Sequence, residues 1–176
     1  VQKATPILIN GLLRLEYRGY DSAGLSTIET TGLSVMKDKG RVKNLYNLDG
    51  IDNLSGTIGI AHTRWATHGG VNEDNAHPHM VGNTVLVHNG IIENADILRD
   101  ELKQKGYEFK SSTDTEVVAA LLDSNLEEDF LKTIEKTTKL LKGSYALGII
   151  VEDTKDKIYV VKKDSPLVIG VGKDEN

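Results

Sequence analysis

The middle of the chain places helical segments one after another instead of alternating them with strands, and this order limits the possible folds. Apolar residues recur at helical spacing in residues 91–106, 112–125 and 127–143, and strand-like apolar runs lie on both sides. A doubly wound parallel sheet would need a helix between successive strands. The order therefore predicts an α+β fold with mainly antiparallel sheets. A helix–sheet–sheet–helix sandwich would bury all of these elements.

The remaining segments carry local signals of their own. Residues 5–17 have Pro6 in a first-turn position and apolar residues at helical spacing, which predicts a helix. Apolar runs on both sides of Thr31–Gly32 predict a β-hairpin. The other predicted elements are a short helix over 41–50, strands over 56–63 and 83–89, and three closing strands over 144–153, 157–164 and 166–172.

Two short motifs mark the boundaries of the middle helices. Asn89–Gly90 is a strong hairpin signal, but the helical spacing that follows it predicts a strand, a sharp turn and then a helix. Thr113 and Glu116 have the spacing of a capping box at the start of the next helix.

Length, charge and cysteine content exclude several classes of function. The 176 residues predict a single domain, 1–176, that is long enough for a hydrophobic core. The net charge is −5 and no basic stretch stands out, so we expect neither a nucleic-acid partner nor a membrane partner. No apolar run approaches membrane-spanning length, and we expect a cytoplasmic protein. Since the chain has no cysteine, it has no disulfide, thiolate metal site or thiol nucleophile of its own.

A polar stretch between two apolar runs, residues 59–79, holds four of the five histidines, the only tryptophan and an arginine. A metal site is one interpretation, but there is no HExxH motif, and the spacings match no common zinc pattern. In a second interpretation, His62, His79 and His88 are strand-end and loop histidines whose ring nitrogens bind backbone groups. The third interpretation is a binding site for a small anionic substrate.

The substrate interpretation starts from Arg64, whose planar guanidinium can hold a carboxylate with two hydrogen bonds. Thr67, His68 and the backbone of Gly69–Gly70 could complete the anion site, and Trp65 could form its wall. The alternative for Arg64 is a surface ion pair.

Two further stretches could meet at the same pocket. The side-chain amide of Asn89 and the N–H of Gly90, at a sharp strand exit, are the paired donors that an oxyanion hole needs, although an ordinary turn would also explain them. Asp114 lies at a helix start, where it could cap the helix or bind a substrate ammonium group. Arginine for a carboxylate, aspartate for an ammonium group and an oxyanion hole between them would form an amino-acid site.

Five motifs, in this order and spacing, resemble the glutaminase domain of the bacterial-type glutamine–fructose-6-phosphate aminotransferase (isomerizing) family, which consists of class II, N-terminal-nucleophile amidotransferases. The motifs are LEYRGYDSAG (15–24), HTRWATHG (62–69), NAHPH (75–79), VHNGIIEN (87–94) and SSTDTEV (111–117). The resemblance implies an N-terminal-nucleophile hydrolase fold, a four-layer α/β/β/α sandwich. This agrees with the element order described above.

The resemblance also implies substrate-binding residues. Arg64, Thr67 and His68 would hold the carboxylate of glutamine, and Asp114 with the Gly90 region would hold its α-amino group.

Other positions would serve catalysis and gating. Asn89 and Gly90 would form the oxyanion hole, and Arg18 would lie beside the nucleophile. Trp65 would lie near a gate to an ammonia channel, and His77 would be a conformational member of the site.

In activity, the family hydrolyses L-glutamine to L-glutamate and passes ammonia through isomerase domains to fructose 6-phosphate, making glucosamine 6-phosphate. The resemblance implies no metal or organic cofactor, a homodimeric full-length enzyme and a monomeric isolated domain. The family's nucleophile is the cysteine of an N-terminal Cys-Gly-Ile-Val-Gly strand, with its free α-amine as general base.

Because the printed chain has no cysteine, we expect it to be inactive alone and to be incomplete at both ends, without the isomerase domains. Two alternatives remain open at this point: a cysteine-less amino-acid-binding or scaffold domain, and a histidine-based metallohydrolase.

Overall fold

The computed structural model describes residues 2–65 and 70–172. It contains two antiparallel sheets, four helices and short 3₁₀ segments. The helices are α1 (Ala4–Leu15), α2 (Ala95–Gln104), α3 (Asp114–Ser124) and α4 (Phe130–Thr138). The strands are β1 (Ser22–Glu29), β2 (Gly32–Lys39), β3 (Gly59–Arg64), β4 (His79–Val81), β5 (Thr84–Ile92), β6 (Gly143–Val151) and β7 (Tyr159–Lys163). None of the helices in these ranges is long and apolar enough to cross a bilayer.

The strands form two sheets with different partners. The first sheet has the order β2-β1-β3, and the second has the order β4-β5-β6-β7. All of the pairs within the sheets are antiparallel. The predicted hairpin is confirmed as β1 and β2, and Glu29 pairs with Gly32 across a two-residue turn.

Alternating side chains on the strands build the layers of the core. Val85 on β5 packs between the two sheets, whereas its neighbour Leu86 packs against the helices on the outer side of the second sheet. On β6, Ile150 likewise packs between the sheets, and Ile149 packs against the helices. Successive strand residues point to opposite faces, so one strand supplies two cores. On the other side, α1 packs on the first sheet. The predicted α+β fold with four layers is confirmed.

One boundary prediction was wrong at the place where the site lies. The chain makes no sharp turn at Asn89–Gly90, because β5 continues to Ile92, and the following helix begins at Ala95 instead of residue 91. Pairing with β6 explains the difference, since Gly90 lies opposite Tyr145 in an unbroken register. Gly90 has a φ of 139°, and a Cβ there would clash with the carbonyl oxygen of Ser144. This strand conformation requires glycine at position 90.

Two other predicted elements also differ. Residues 41–50 form a 3₁₀ segment only over Val42–Asn47, and Gly50 adopts a left-handed conformation before a second short segment. Residues 166–172 do not form the third closing strand. Asp164, with φ 60°, makes a single bridge to Tyr145, and the side chain of Val168 beyond it is 91% exposed. An apolar segment needs a strand edge to pair with before it can form a strand, and this segment pairs with none among the described residues.

The end of β1 is joined to the segment before β3 through the carboxylate of Glu29. It accepts hydrogen bonds from the Thr27 hydroxyl, from the N–H and hydroxyl of Ser55, and from the N–H of Gly56, over 2.6–3.1 Å. Desolvation acts to raise the pKa of Glu29, but these hydrogen bonds together lower it from 4.5 to about 2. The folded state therefore gains stability from this carboxylate above pH 4.5, and loses it as the pH falls from about 4.5 to about 2.

Glu29→Gln is expected to lower the free energy of unfolding at neutral pH by about 1–2 kcal/mol, because an amide cannot accept all of these bonds. The difference from the parent should shrink as the pH falls below 4.5, where the parent carboxylate becomes protonated. Denaturant unfolding at neutral pH and near pH 3 measures both effects. Glu128→Gln, on the exposed surface, is the control. A difference that does not change with pH would contradict this account.

Candidate active site

A cavity of about 820 Å³ opens between the ends of the two sheets. The residues that line it come from α1 and the loop after it, from β3, from the segment before β4, from β5, from the start of α3 and from the segment after β7. Those singled out from the sequence are Arg18, Arg64, Trp65, His77, Asn89, Gly90 and Asp114.

The alternation of β3 directs its polar side chains toward the second sheet. Ile60 packs in the core between the sheets. His62 and Arg64 follow at intervals of two residues, so they lie on the same face of the strand. All three are buried, in the repeating pattern of this strand.

The alternation of β5 separates two neighbouring residues of the site. Val85 and Val87 face the first sheet, and Asn89 lies on the same face, where its Oδ1 is 3.0 Å from His62 Nε2. His88 lies on the opposite face and meets α3, with its Nδ1 3.1 Å from the hydroxyl of Thr115. The two sheets and the helix layer therefore meet at the end of β5.

The start of α3 brings a carboxylate to the same end of β5. Thr113 caps the helix by accepting a hydrogen bond from the N–H of Glu116. Asp114 is the first helical residue and does not cap it. Its Oδ2 accepts the N–H of Ile92 at 2.9 Å, and its Oδ1 lies 3.7 Å from Nδ1 of His88. Desolvation acts to raise the pKa of Asp114, but these contacts lower it below its ordinary value.

Four buried histidines lie side by side next to this carboxylate. The ring of His77 stacks on His62, with centroids 4.4 Å apart, and its edge meets His79. His77 Nε2 lies 2.8 Å from the hydroxyl of Thr115, which it shares with His88. His79 Nε2 lies 3.0 Å from the hydroxyl of Thr113. The ring nitrogens of these histidines thus bind side chains of Asn89, Thr113 and Thr115, where backbone partners were predicted, and His62 also interacts with the backbone of His88.

Burial keeps three of these rings neutral at neutral pH. Desolvation lowers the pKa of His62 to about 4 and that of His79 to about 3, and it lowers the pKa of His77 well below its ordinary value. The rings lower one another's pKa, and Arg64 adds a further positive charge. Among the described residues, no group of three or more histidine or acidic side chains is arranged to hold a metal ion.

Arg64 is buried at the end of β3, so it is not a surface residue. Burial lowers its pKa, while the carboxylates of Asp21 and Asp114 oppose that shift. Its Nη1 lies 3.5 Å from the carbonyl oxygen of Gly70, which also accepts a hydrogen bond from the side chain of Asn75. A buried guanidinium with carboxylates nearby suits the binding of a zwitterion.

The backbone around Arg64 explains a glycine of the first motif. The N–H of Asp21 donates to the carbonyl oxygen of Arg64 at 3.1 Å. Gly19 lies so close that a Cβ there would be 2.9 Å from the carbonyl carbon of Arg64. The loop after α1 can therefore pack directly against the end of β3.

The rim of the cavity is aromatic and exposed. Trp65 is 55% exposed and meets Tyr20 edge to face, with centroids 5.4 Å apart. Arg18 also lines the cavity and is exposed, and its Nε donates to the hydroxyl of Tyr17. Two further predicted residues, Thr67 and His68, lie outside the described residues.

Sequence reasoning missed two residues that join the parts of this site. Thr115 connects His77 to His88, and Asn75 binds both Gly70 and the backbone of Ser112. Both lie inside motifs that were singled out for other residues. The signal that could have identified them is a polar residue within a motif, on a helix face for Thr115 and in a loop for Asn75. The pattern of apolar residues does not explain either of them.

A model of the family described as the glutamine amidotransferase domain matches residues 62–175. The chain belongs to this family. The matched range includes residues 62–79 of the polar stretch, the end of β5 and the start of α3.

Curated relatives of this amidotransferase domain are longer proteins. This chain is 49% identical to glutamine–fructose-6-phosphate aminotransferase (isomerizing) of Clostridium perfringens. The match covers 99% of this chain and 29% of that protein. The chain is 51% identical to the enzyme of the same name from Acinetobacter baylyi, over 97% of the chain and 28% of that protein. The chain thus spans less than a third of the length of these relatives.

A solved structure has the same fold as this amidotransferase domain. Glutamine phosphoribosylpyrophosphate amidotransferase from B. subtilis, complexed with ADP and GMP, superimposes with a TM-score of 0.75 at 29% identity. The match covers 86% of this chain and 33% of that one. This likeness agrees with the predicted sandwich of the N-terminal-nucleophile hydrolase type.

Proposed function

We propose that this amidotransferase domain is the glutaminase part of a glutamine–fructose-6-phosphate aminotransferase. It would hydrolyse L-glutamine to L-glutamate in the cytoplasm, and isomerase domains outside the chain would use the ammonia to convert fructose 6-phosphate to glucosamine 6-phosphate. The observation that carries the proposal is that Arg64, Asn89, Gly90 and Asp114 line the same cavity. Fructose 6-phosphate is proposed as the acceptor because it appears in the names of relatives that are about 50% identical over almost the whole chain.

Glutamine would bind through its two charged ends. The guanidinium of Arg64 would hold the α-carboxylate with paired hydrogen bonds, together with Thr67 and His68. Asp114 would hold the α-ammonium group, and its lowered pKa keeps it ionised at neutral pH. Because Asp114 Oδ2 already accepts the N–H of Ile92, the ammonium group would bind to remaining lone pairs of the same carboxylate.

The amide of the substrate would lie at the end of β5. There, the side chain of Asn89 and the N–H of Gly90 would donate to the oxygen that becomes negative in the tetrahedral intermediate. The N–H of Ile92, two residues further along β5, binds Asp114 at the same end of the strand.

The covalent chemistry requires a nucleophile that the printed residues do not include. On this proposal, an N-terminal cysteine thiol attacks the amide carbon and its α-amine takes the thiol proton. The α-amine then gives this proton to the leaving nitrogen as the C–N bond breaks, which releases ammonia and leaves a thioester. Water then hydrolyses the thioester to give glutamate. Arg18 would lie beside the nucleophile, and Trp65 would border the path of ammonia. His77 would support the site without acting as a base, because burial holds its pKa well below its ordinary value.

The test combines intact mass and N-terminal sequencing of the full-length gene product with an assay of glutamate formation from glutamine. We expect an N-terminal cysteine, glutamate formation, and no activity from the chain of residues 1–176 alone. L-Glutamate should still bind to that chain. Glutamate binding with no turnover in the full-length product would indicate an amino-acid-binding domain instead. Activity that depends on added metal would overturn the thiol mechanism.

A further inference from the structure

We propose that His62 is a positioning residue that holds the side-chain amide of Asn89 with its NH₂ end toward the cavity. The inference rests on the proposed function, because it supplies the orientation that an oxyanion donor at Asn89 needs. An asparagine amide has an accepting end and a donating end of nearly the same shape. Only the donating end can stabilise an oxyanion.

The first support is the contact between the two sheets. His62 lies on β3, and Asn89 lies on β5, 27 residues further along the chain. The His62 ring nitrogen Nε2 is 3.0 Å from Asn89 Oδ1. An amide oxygen can only accept a hydrogen bond, so Nε2 must carry the proton. With Oδ1 engaged by His62, the NH₂ group of Asn89 is left for the cavity side.

The second support is the environment of the other ring nitrogen. A neutral imidazole has one N–H, so a proton on Nε2 leaves Nδ1 as a bare acceptor. Nδ1 of His62 is buried and has no hydrogen-bond partner among the described residues. If the Asn89 amide were turned by 180°, the proton would have to move to Nδ1, which makes no hydrogen bond among the described residues. A buried N–H without an acceptor costs more than a buried lone pair without a donor.

The third support is the packing of the His62 ring. His77 stacks on it with an angle of 28° between the planes, and Thr115 holds His77 in turn through Nε2. His62 itself is only 9% exposed. A ring that is packed on its face and bonded at its edge cannot turn freely, so the hydrogen bond to Asn89 keeps one direction. Asn89 itself lies on the exposed end of β5 and would otherwise rotate.

The test is a double-mutant cycle in the full-length enzyme with glutamine as substrate. His62→Leu removes the donor, and Asn89→Ala removes the group that it orients. We expect His62→Leu to lower kcat about tenfold with little change in KM. If the freed amide turned its NH₂ group toward the cavity half of the time, kcat would fall about twofold. If the donor were lost completely, kcat would fall about 10²–10³-fold, and the expected loss lies between these limits. His62→Gln, whose NH₂ group can donate to Oδ1, should recover most of the loss.

The decisive measurement is whether the effect of His62→Leu on kcat differs between the parent enzyme and the Asn89→Ala enzyme. In Asn89→Ala enzyme, His62→Leu should cause no further loss of kcat, because the group through which it acts is gone. His79→Leu is the matched control, since His79 is also a buried histidine but binds Thr113 and not Asn89. Any loss that it causes should be the same in both backgrounds.

The outcomes separate the two proposals. If Asn89→Ala keeps full activity, the oxyanion role proposed for Asn89 is wrong, and the role of His62 is wrong with it. If Asn89→Ala is impaired but His62→Leu is not, or if their losses multiply, only the inference about His62 is overturned. If a variant does not fold, nitrogen-15 NMR of the unmodified protein still tests the inference, because it reports which ring nitrogen of His62 carries the proton. It should show His62 with the proton on Nε2, and a proton on Nδ1 would overturn the inference.

Discussion

Replacing Asn89 with alanine in the full-length enzyme is expected to lower kcat for glutamine hydrolysis about 100- to 1,000-fold. The variant would lack one of the two donors to the developing oxyanion, which carries its full charge only in the transition state. The KM for glutamine should change little, because the ground-state amide is neutral. Steady-state measurement of glutamate formation gives both constants.

The design of this experiment depends on the exposed position of Asn89 at the end of β5. Truncation there removes little core packing, but it leaves the buried Nε2–H of His62 without its acceptor, so a modest fall in melting temperature is expected. Asn53→Ala, at an exposed position in the short 3₁₀ segment before β3, controls for the loss of an asparagine amide. A parallel rise in KM with unchanged kcat would place Asn89 in substrate binding and not in the oxyanion hole.

Replacing Arg64 with lysine is expected to raise the KM for glutamine and the Kd for L-glutamate about 10- to 100-fold. The lysine keeps the positive charge but cannot make two parallel hydrogen bonds to a carboxylate, and each bond to a charged group contributes about 1.5–3 kcal/mol. Because Arg64 is buried, water would not replace the missing donor easily. Calorimetric titration of the chain with L-glutamate measures the change without requiring turnover.

A matched control separates binding from a general effect of the substitution. Arg14→Lys, in the last turn of α1 and exposed, should leave the affinity unchanged. In the Arg64 variant, glutarate, which lacks the α-amino group, should lose affinity by about the same factor as glutamate. An unaltered Kd for both ligands would contradict the role of Arg64 in binding the carboxylate.

Comparison of the predicted and observed elements shows where local sequence is sufficient. The capping residue Thr113 and the hairpin of β1 and β2 were predicted because their signals lie within a few residues of one another. The strand predicted for residues 166–172 does not form, although the segment is rich in β-branched and other apolar residues. A strand is stable only beside a partner, and the partner is not specified locally.

The end of β5 shows the same limit within the candidate site. Asn89–Gly90 carries a turn signal, yet pairing with β6 keeps the strand extended through both residues. Choosing Arg64, Asn89 and Asp114 as site residues required only their residue types and motifs. That Asp114 binds the N–H of Ile92 and that Thr115 joins two histidines required the packing of α3 on the second sheet.

The sequence by itself determined the class of fold and the face of each strand on which a polar residue lies. Alternation on β3 and β5 sends His62 and Asn89 into the space between the layers, and this follows from a period of two residues. Only the tertiary structure decided that these two faces meet and that a histidine contacts an asparagine 27 positions away. Local periodicity fixes directions along one element, whereas the distance between two elements depends on the packing of all the layers between and around them.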